Sequence, residues 1–346
     1  MPGPQSNKTT THHLDHLNKK HLLALRICEL QLDIKHSPIA PRIEQLYTEL
    51  RHHQFRFKPH FWFSDDWFCP DGIPGVAIPF YLAHKKLIKL ERDMTMDVEG
   101  GDTQWCMNLL RHETAHALLN AYRLDKRKDW QKVFGNPNKK YPNTYWPRPY
   151  DQRFVLNLPN WYAQSHPHED WAETFAVWLR PNSDWRQRYD EWPAMKKLLF
   201  VDELMVAIHD QPAKLKNRKT ELSISQIKIT LGEYYKDKLQ RYDAESPEFI
   251  DRDLFKLFGH PKPSTRHESA AAFLLRIRKE VIESVENWGG EYRYRINRTI
   301  THMATRSDEL GLQRYWKEDK VKTELVACLT MLVVNKMFKD GFHITL

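Results

Sequence analysis

The residues with the clearest chemical capacity are His112-Glu113-Thr114-Ala115-His116, an HExxH motif. Around them Trp105, Leu109, His112, His116 and Leu119 recur at spacings of 4, 3, 4 and 3, the period of an α-helix. On a helix positions i and i+4 share a face, so both imidazoles can reach one ion. Glu113 projects beside them, where it can take a proton from water at that ion. Zinc suits this ligand set and lowers the pKa of its water to roughly 7. The expected cofactor is therefore Zn2+.

A hydrolytic zinc needs a third protein ligand. The metzincin pattern fails, because Leu119 and Tyr122 stand where it requires Gly and His. The best source is Ser165-His166-Pro167-His168-Glu169-Asp170-Trp171-Ala172-Glu173-Thr174-Phe175. Glu169 and Glu173 are again i and i+4, on a face shared with the small Ala172 and Ala176. Small residues there would let this helix approach the HExxH helix closely. Such a pair suits one carboxylate that binds metal and another that buttresses a ligand imidazole. His166 and His168 are rival third ligands, and Asp170 a weaker one.

The strings LLRHETAHALLNAY and YAQSHPHEDWAETFAVWL resemble the bacterial family of putative zinc-binding metallopeptidases. Members of that family combine an HExxH helix with a downstream helix carrying an AET stretch. The spacing is also similar to that of gluzincins, including lethal-factor-like peptidases. The resemblance implies a zincin-like metallopeptidase core in which Glu169 is the third ligand and Glu173 supports a histidine. It also implies that Tyr162, seven residues before Glu169, donates to the tetrahedral oxyanion. Val177-Trp178 departs from the His-Tyr that family members often carry, at positions that are not ligands.

The function so implied is a zinc-dependent peptidase acting on peptide or protein substrates, with Glu113 as general base and later general acid. Two other classes compete. A non-catalytic interaction protein with a structural zinc would close the site with a fourth ligand, His166 or His168. A nucleic-acid-associated protease of the SprT-like sort would use a histidine as third ligand and need a basic, aromatic-lined surface. Residues 214–346 carry +6 of the total net charge of +8, but diffusely, so nucleic acid is not an expected partner.

These motifs need elements to hold them. Helical spacing predicts helices over 17–32, 41–51, 104–124, 167–180 and 320–338. Alternation predicts strands over 55–63 and 76–82, the second demoted to an edge strand by Pro79 and able to bind substrate backbone. The Pro-rich run 134–160, with Tyr141, Tyr145, Trp146 and Tyr150, could wall a cleft. Ten of the twelve tryptophans fall between Trp62 and Trp192, arguing for one aromatic-rich core. The expected fold is α+β: a small mixed sheet, the HExxH helix and a second ligand helix, followed by a mostly helical C-terminal region. The expected divisions are a disordered stretch 1–16, a metallopeptidase domain 17–210 and a helical domain 211–346. Within the last, 211–220 reads as a linker, and Thr265-Arg266-His267-Glu268 as a capping box.

Hydrophobic residues make up 41% of the 346, enough for a packed core. The longest apolar run, 325–334, is about half of what a membrane helix needs. No apolar segment resembling a secretory signal lies in 1–8. Cys28, Cys69, Cys106 and Cys328 form no CxxC pair. That excludes a cysteine-built zinc site, fits a reducing compartment, and makes a cytoplasmic protein with no membrane partner the expectation.

Overall fold

The computed structural model describes residues 12–142, 144–243, 250–259, 267–289, 293–340 and 342–343. It is mixed and mostly helical, with a small parallel pair of strands. The described residues divide into two compact units. One takes those up to 94, from 98 to 235, and 342–343. The other takes 95–97 and those between 236 and 340. Among the described residues no helix is long and apolar enough to cross a membrane.

In the first unit the order is α1 (Lys19–Ala24), α2 (Ala40–His52), β1 (His60–Ser64), β2 (Gly75–Pro79), α3 (Lys85–Thr95) and α4 (Thr103–Tyr122). Then come α5 (Lys128–Phe134), β3 (Thr144–Tyr145), α6 (Pro167–Leu179), α7 (Trp185–Arg188), α8 (Met195–Ile208) and the start of α9 (Leu231–Asp243). The helix expected over 17–32 stops at Ala24, where Leu25 turns extended at ψ 143°. The segment expected to lack order differs as well. His12–His16 forms a 3-10 helix with Leu14 fully buried, while 1–11 lie outside the described residues.

The strands are shorter than expected. β1 pairs parallel with β2, His60 opposite Gly75. A Cβ at Gly75 would lie 2.4–2.6 Å from the His60 ring, so only glycine fits opposite it. All of β2 is buried. On its other side the Ala77 amide donates to the Phe68 carbonyl at 2.8 Å. The turn 65–74 therefore occupies the ladder position that a substrate backbone was expected to use. β3 pairs antiparallel with β4 (Phe342–His343), giving a second two-stranded sheet rather than one mixed one.

The run 211–220 is no free linker. The amides of Lys214 and Leu215 donate to the Ala121 carbonyl at the end of α4, at 2.8 and 3.0 Å. Farther on, the amides of Ile27 and Cys28 donate to the carbonyls of Ile229 and Ile227. The chain thus returns to the start of the unit before leaving it. That return is why the first unit reaches Tyr235.

The second unit is built from the rest of α9 with α10 (Ile250–Phe258), α11 (Ala270–Gly289), α12 (Arg293–Glu309) and α13 (Glu318–Asp340). Thr265 and Arg266 of the expected capping box lie outside the described residues. Glu268 is instead paired with Arg276 and Arg314, and Ser269 Oγ caps the Ala272 amide at 3.1 Å.

Helices α4 and α6 position the candidate site. Asp102 caps α4 by accepting from the Trp105 amide at 2.9 Å, and Arg123 ends it in the left-handed conformation at φ 54°. Most of α4 is buried, as expected of a helix surrounded by core. His166 Nδ1 caps α6 by accepting from the His168 amide, and Pro167 occupies the first turn. Ala115, Ala172 and Ala176 are fully buried where the helices meet. The buried Trp171 indole donates to the Ala115 carbonyl at 2.9 Å, tying the middle of α6 to the middle of α4.

Candidate metal centre

Three side-chain atoms from the two helices converge. His112 Nε2 lies 2.9 Å from Glu169 Oε2, His116 Nε2 lies 3.1 Å from His112 Nε2, and His116 Nε2 lies 3.3 Å from Glu169 Oε2. His112 Nδ1 donates to Glu173 Oε1 at 2.8 Å. A neutral imidazole has one N–H, so spending it on Glu173 leaves Nε2 of His112 as a lone pair. That lone pair faces a carboxylate oxygen and a second imidazole nitrogen. The contact is tolerable only if a proton or a metal cation sits among the three atoms. Two imidazoles and a carboxylate are a donor set that zinc accepts, so these residues fit a metal.

The electrostatics agree. Burial works against the charged ring of His112, but the carboxylates on both its nitrogens hold its pKa well above the ordinary value. Burial also opposes the Glu169 charge, and His116 and His112 override it, keeping that carboxylate well below its usual range. The other oxygen of Glu169 accepts from the Tyr141 hydroxyl at 2.8 Å, so only Oε2 is left for the histidines.

Glu173 is fully buried and saturated. Besides His112, it accepts from Asn157 Nδ2 at 2.9 Å and from the Leu158 amide at 2.7 Å. It therefore holds the His112 ring and the 157–158 chain at once. Glu113 is buried next to the histidines, bonded to no described group. Burial lifts its carboxyl above the usual range, and His112 and His116 pull it back in part.

Tyr162 reaches the site through an unusual backbone. Asn160 and Trp161 are both left-handed, at φ 59° and 54°, an arrangement costly for a bulky residue such as Trp. The Tyr162 carbonyl is fixed by the Ser165 amide at 3.0 Å and hydroxyl at 2.7 Å. Its ring centroid lies 5.7 Å from that of His112, and among the described residues its hydroxyl has no hydrogen-bond partner. Burial, then Glu169 and Glu113, push that phenol's pKa well up, so it stays a donor.

The rival ligands lie elsewhere. His166 spends Nδ1 on the helix cap and donates Nε2 to the Lys139 carbonyl at 2.7 Å. His168 packs against Trp130 and His166, and burial lowers its pKa to about 4. Asp170 points to Lys197 Nζ, 2.7 Å away. The sequence marks Tyr141 only as part of a possible cleft wall, and gives no role to Asn157 or Leu158. Tyr141 lies 28 positions before its carboxylate in an irregular run, with only its aromatic character as a signal.

Residues 106–189 match the family model described as "Putative zinc-binding metallo-peptidase". That span begins within α4 and extends past α6, taking in both converging helices. No curated protein and no solved structure matches the chain.

Proposed function

With residues 106–189 matched to that zinc-binding metallo-peptidase family, we propose that the chain is a zinc-dependent peptidase acting on peptide or protein substrates. The observation that carries this reading is the convergence of His112, His116 and Glu169 beside the unbonded carboxylate of Glu113. His112, His116 and Glu169 would hold the ion. Zinc there would supply a Lewis acid for the peptide carbonyl and lower the pKa of water to roughly 7.

The chain's own groups do the rest. Glu113 accepts the proton of the attacking water and returns it to the leaving amine, and its raised pKa makes it a better base for that transfer. The free Tyr162 hydroxyl donates to the developing oxyanion, a contribution of about 3 kcal/mol for a well-placed donor. Glu173 fixes the His112 tautomer, and Tyr141 turns Glu169 so that one oxygen faces the histidines. The cysteines are unpaired, which supports a reducing, cytoplasmic setting.

Metal analysis and hydrolysis of a quenched-fluorescence peptide library test this together. Glu113→Gln should keep its zinc and lose hydrolysis by at least about a hundredfold. His116→Ala and Glu169→Ala should lose zinc. Undiminished zinc in both would sink the ligand assignment. Full activity of Glu113→Gln would leave that residue a packing role. A zinc-loaded wild type inert on every peptide would favour a structural metal instead.

A further inference from the structure

The segment 214–222 is held down along its length. Besides the Lys214 and Leu215 amides on Ala121, Asn217 Nδ2 donates to the Gly72 carbonyl at 2.9 Å. The carbonyls of Lys219, Glu221 and Leu222 accept from His60 Nε2 at 2.7 Å, Trp62 Nε1 at 2.9 Å and Ser64 Oγ at 2.6 Å. The side chains of β1 thus pin a basic stretch in place. Lys216 and Arg218 from it line a half-open cavity of about 490 Å³; Lys214 and Lys219 do not. Arg56 and Lys58, from the chain before β1, also line it, and Phe57 and Tyr122 contribute apolar surface.

The charges in this cavity are not balanced. Asp210 is the one lining carboxylate, and it pairs with Arg56 at 3.4 Å. Lys58 lies 5.2 Å over the Tyr47 ring. Among the described residues, Lys58, Lys216 and Arg218 have no carboxylate partner. These three side chains are exposed, but the chain that carries two of them is anchored, so like charges gather at one concavity and a bound anion would relieve their repulsion. None of these residues belongs to the cluster of His112, His116 and Glu169.

We propose that this cavity binds a small phosphate-bearing molecule with a flat apolar body. A monocarboxylate would offset one of the three charges, whereas a phosphate ester carries about two near neutral pH and a diphosphate more. The planar guanidinium of Arg218 suits phosphate geometry. The volume lies in the range of roughly 300–1,000 Å³ usual for small-ligand sites. Phe57 and Tyr122 offer a surface for a ring.

Calorimetric titration of the full chain at low ionic strength tests it, with ATP, inorganic pyrophosphate, citrate and a single-stranded oligonucleotide as probes. ATP should bind saturably, more tightly than pyrophosphate or citrate. The double variant Lys216→Glu/Arg218→Glu should weaken ATP at least about tenfold, because two attractive charges at the cavity become repulsive ones. Lys214→Glu/Lys219→Glu makes the same charge change on the same segment outside the cavity, and should stay within about threefold. Lys58→Glu, on a separate stretch of chain, should repeat the loss and decides the matter if the first double variant unfolds. Absence of ATP binding by the wild type, equal losses in the two double variants, or citrate or pyrophosphate matching ATP would overturn the proposal. An oligonucleotide bound more tightly than ATP would overturn it in favour of a nucleic-acid surface.

Discussion

In the first unit, α4 and α6 bury Arg111, His112, Glu113, Glu169, Asp170 and Glu173. In the second, α11, α12 and α13 pack through residues such as Phe273, Val281, Ile300 and Leu325, and among the described residues the buried polar side chains are Thr95, Asp253 and Ser307. Burying a charge is costly unless it is paired and hydrogen-bonded. The second unit meets the need for a core with hydrocarbon. The first keeps ionisable groups inside and partners nearly all of them: Arg111 with Glu49, Asp170 with Lys197, His112 with two glutamates. Glu113 is the exception among the described residues, and the proposed role of proton carrier would require that freedom. Such a concentration of buried ionisable groups is what sets the first unit apart from the second.

The largest test of this contrast sets Arg111→Met against Phe273→Ala. Arg111 holds Glu49 through two bonds of 2.8 Å, and its loss leaves that carboxylate buried and unpaired, at about 3–5 kcal/mol. Adding Glu49→Leu should recover most of that. Phe273→Ala should cost about 3–5 kcal/mol as a cavity, which no removal of a partner restores. Chemical unfolding followed by hydrogen exchange in α4 and α11 measures both. Failure of the double substitution to recover stability would show that Arg111 contributes by packing.

Next in size is Glu173→Ala. It removes the acceptor for His112 Nδ1 and the anchor for Leu158, so zinc affinity should fall roughly 10–100-fold, less than on losing Glu169. Chelator competition measures it, and wild-type affinity would refute the role.

The last test concerns Asp170. Burial lifts its pKa from 3.8 to about 7, even with Lys197 beside it. The folded state therefore keeps a proton that the unfolded state has lost between these values. The stability owed to this group falls as pH rises from about 4 to 7. Asp170→Asn should remove that decline from thermal unfolding curves, and an unchanged slope would place its origin in another group.

Much of the site was legible because it is local. The spacing of His112 and His116, and of Glu169 and Glu173, fixes two shared faces once each run is helical, and helix periodicity needs only neighbouring residues. The start of α6 follows from Pro167 in its first turn for the same reason. The illegible parts are contacts between distant stretches: Phe68 on Ala77, Tyr141 on Glu169, the 214–222 run on β1.

By itself, then, the sequence determined two helices, the residues each presents, and a ligand chemistry suited to zinc. Only the tertiary structure decided that Glu169 Oε2 faces both histidines while His166 and Asp170 turn away. It also decided that Tyr162 comes beside His112 through two left-handed residues. A side chain's direction along one helix follows from the backbone period. Which of its neighbours it meets depends on how helices 57 residues apart pack, as His112 and Glu169 do, and that is set by the buried Ala115, Ala172 and Trp171 between them.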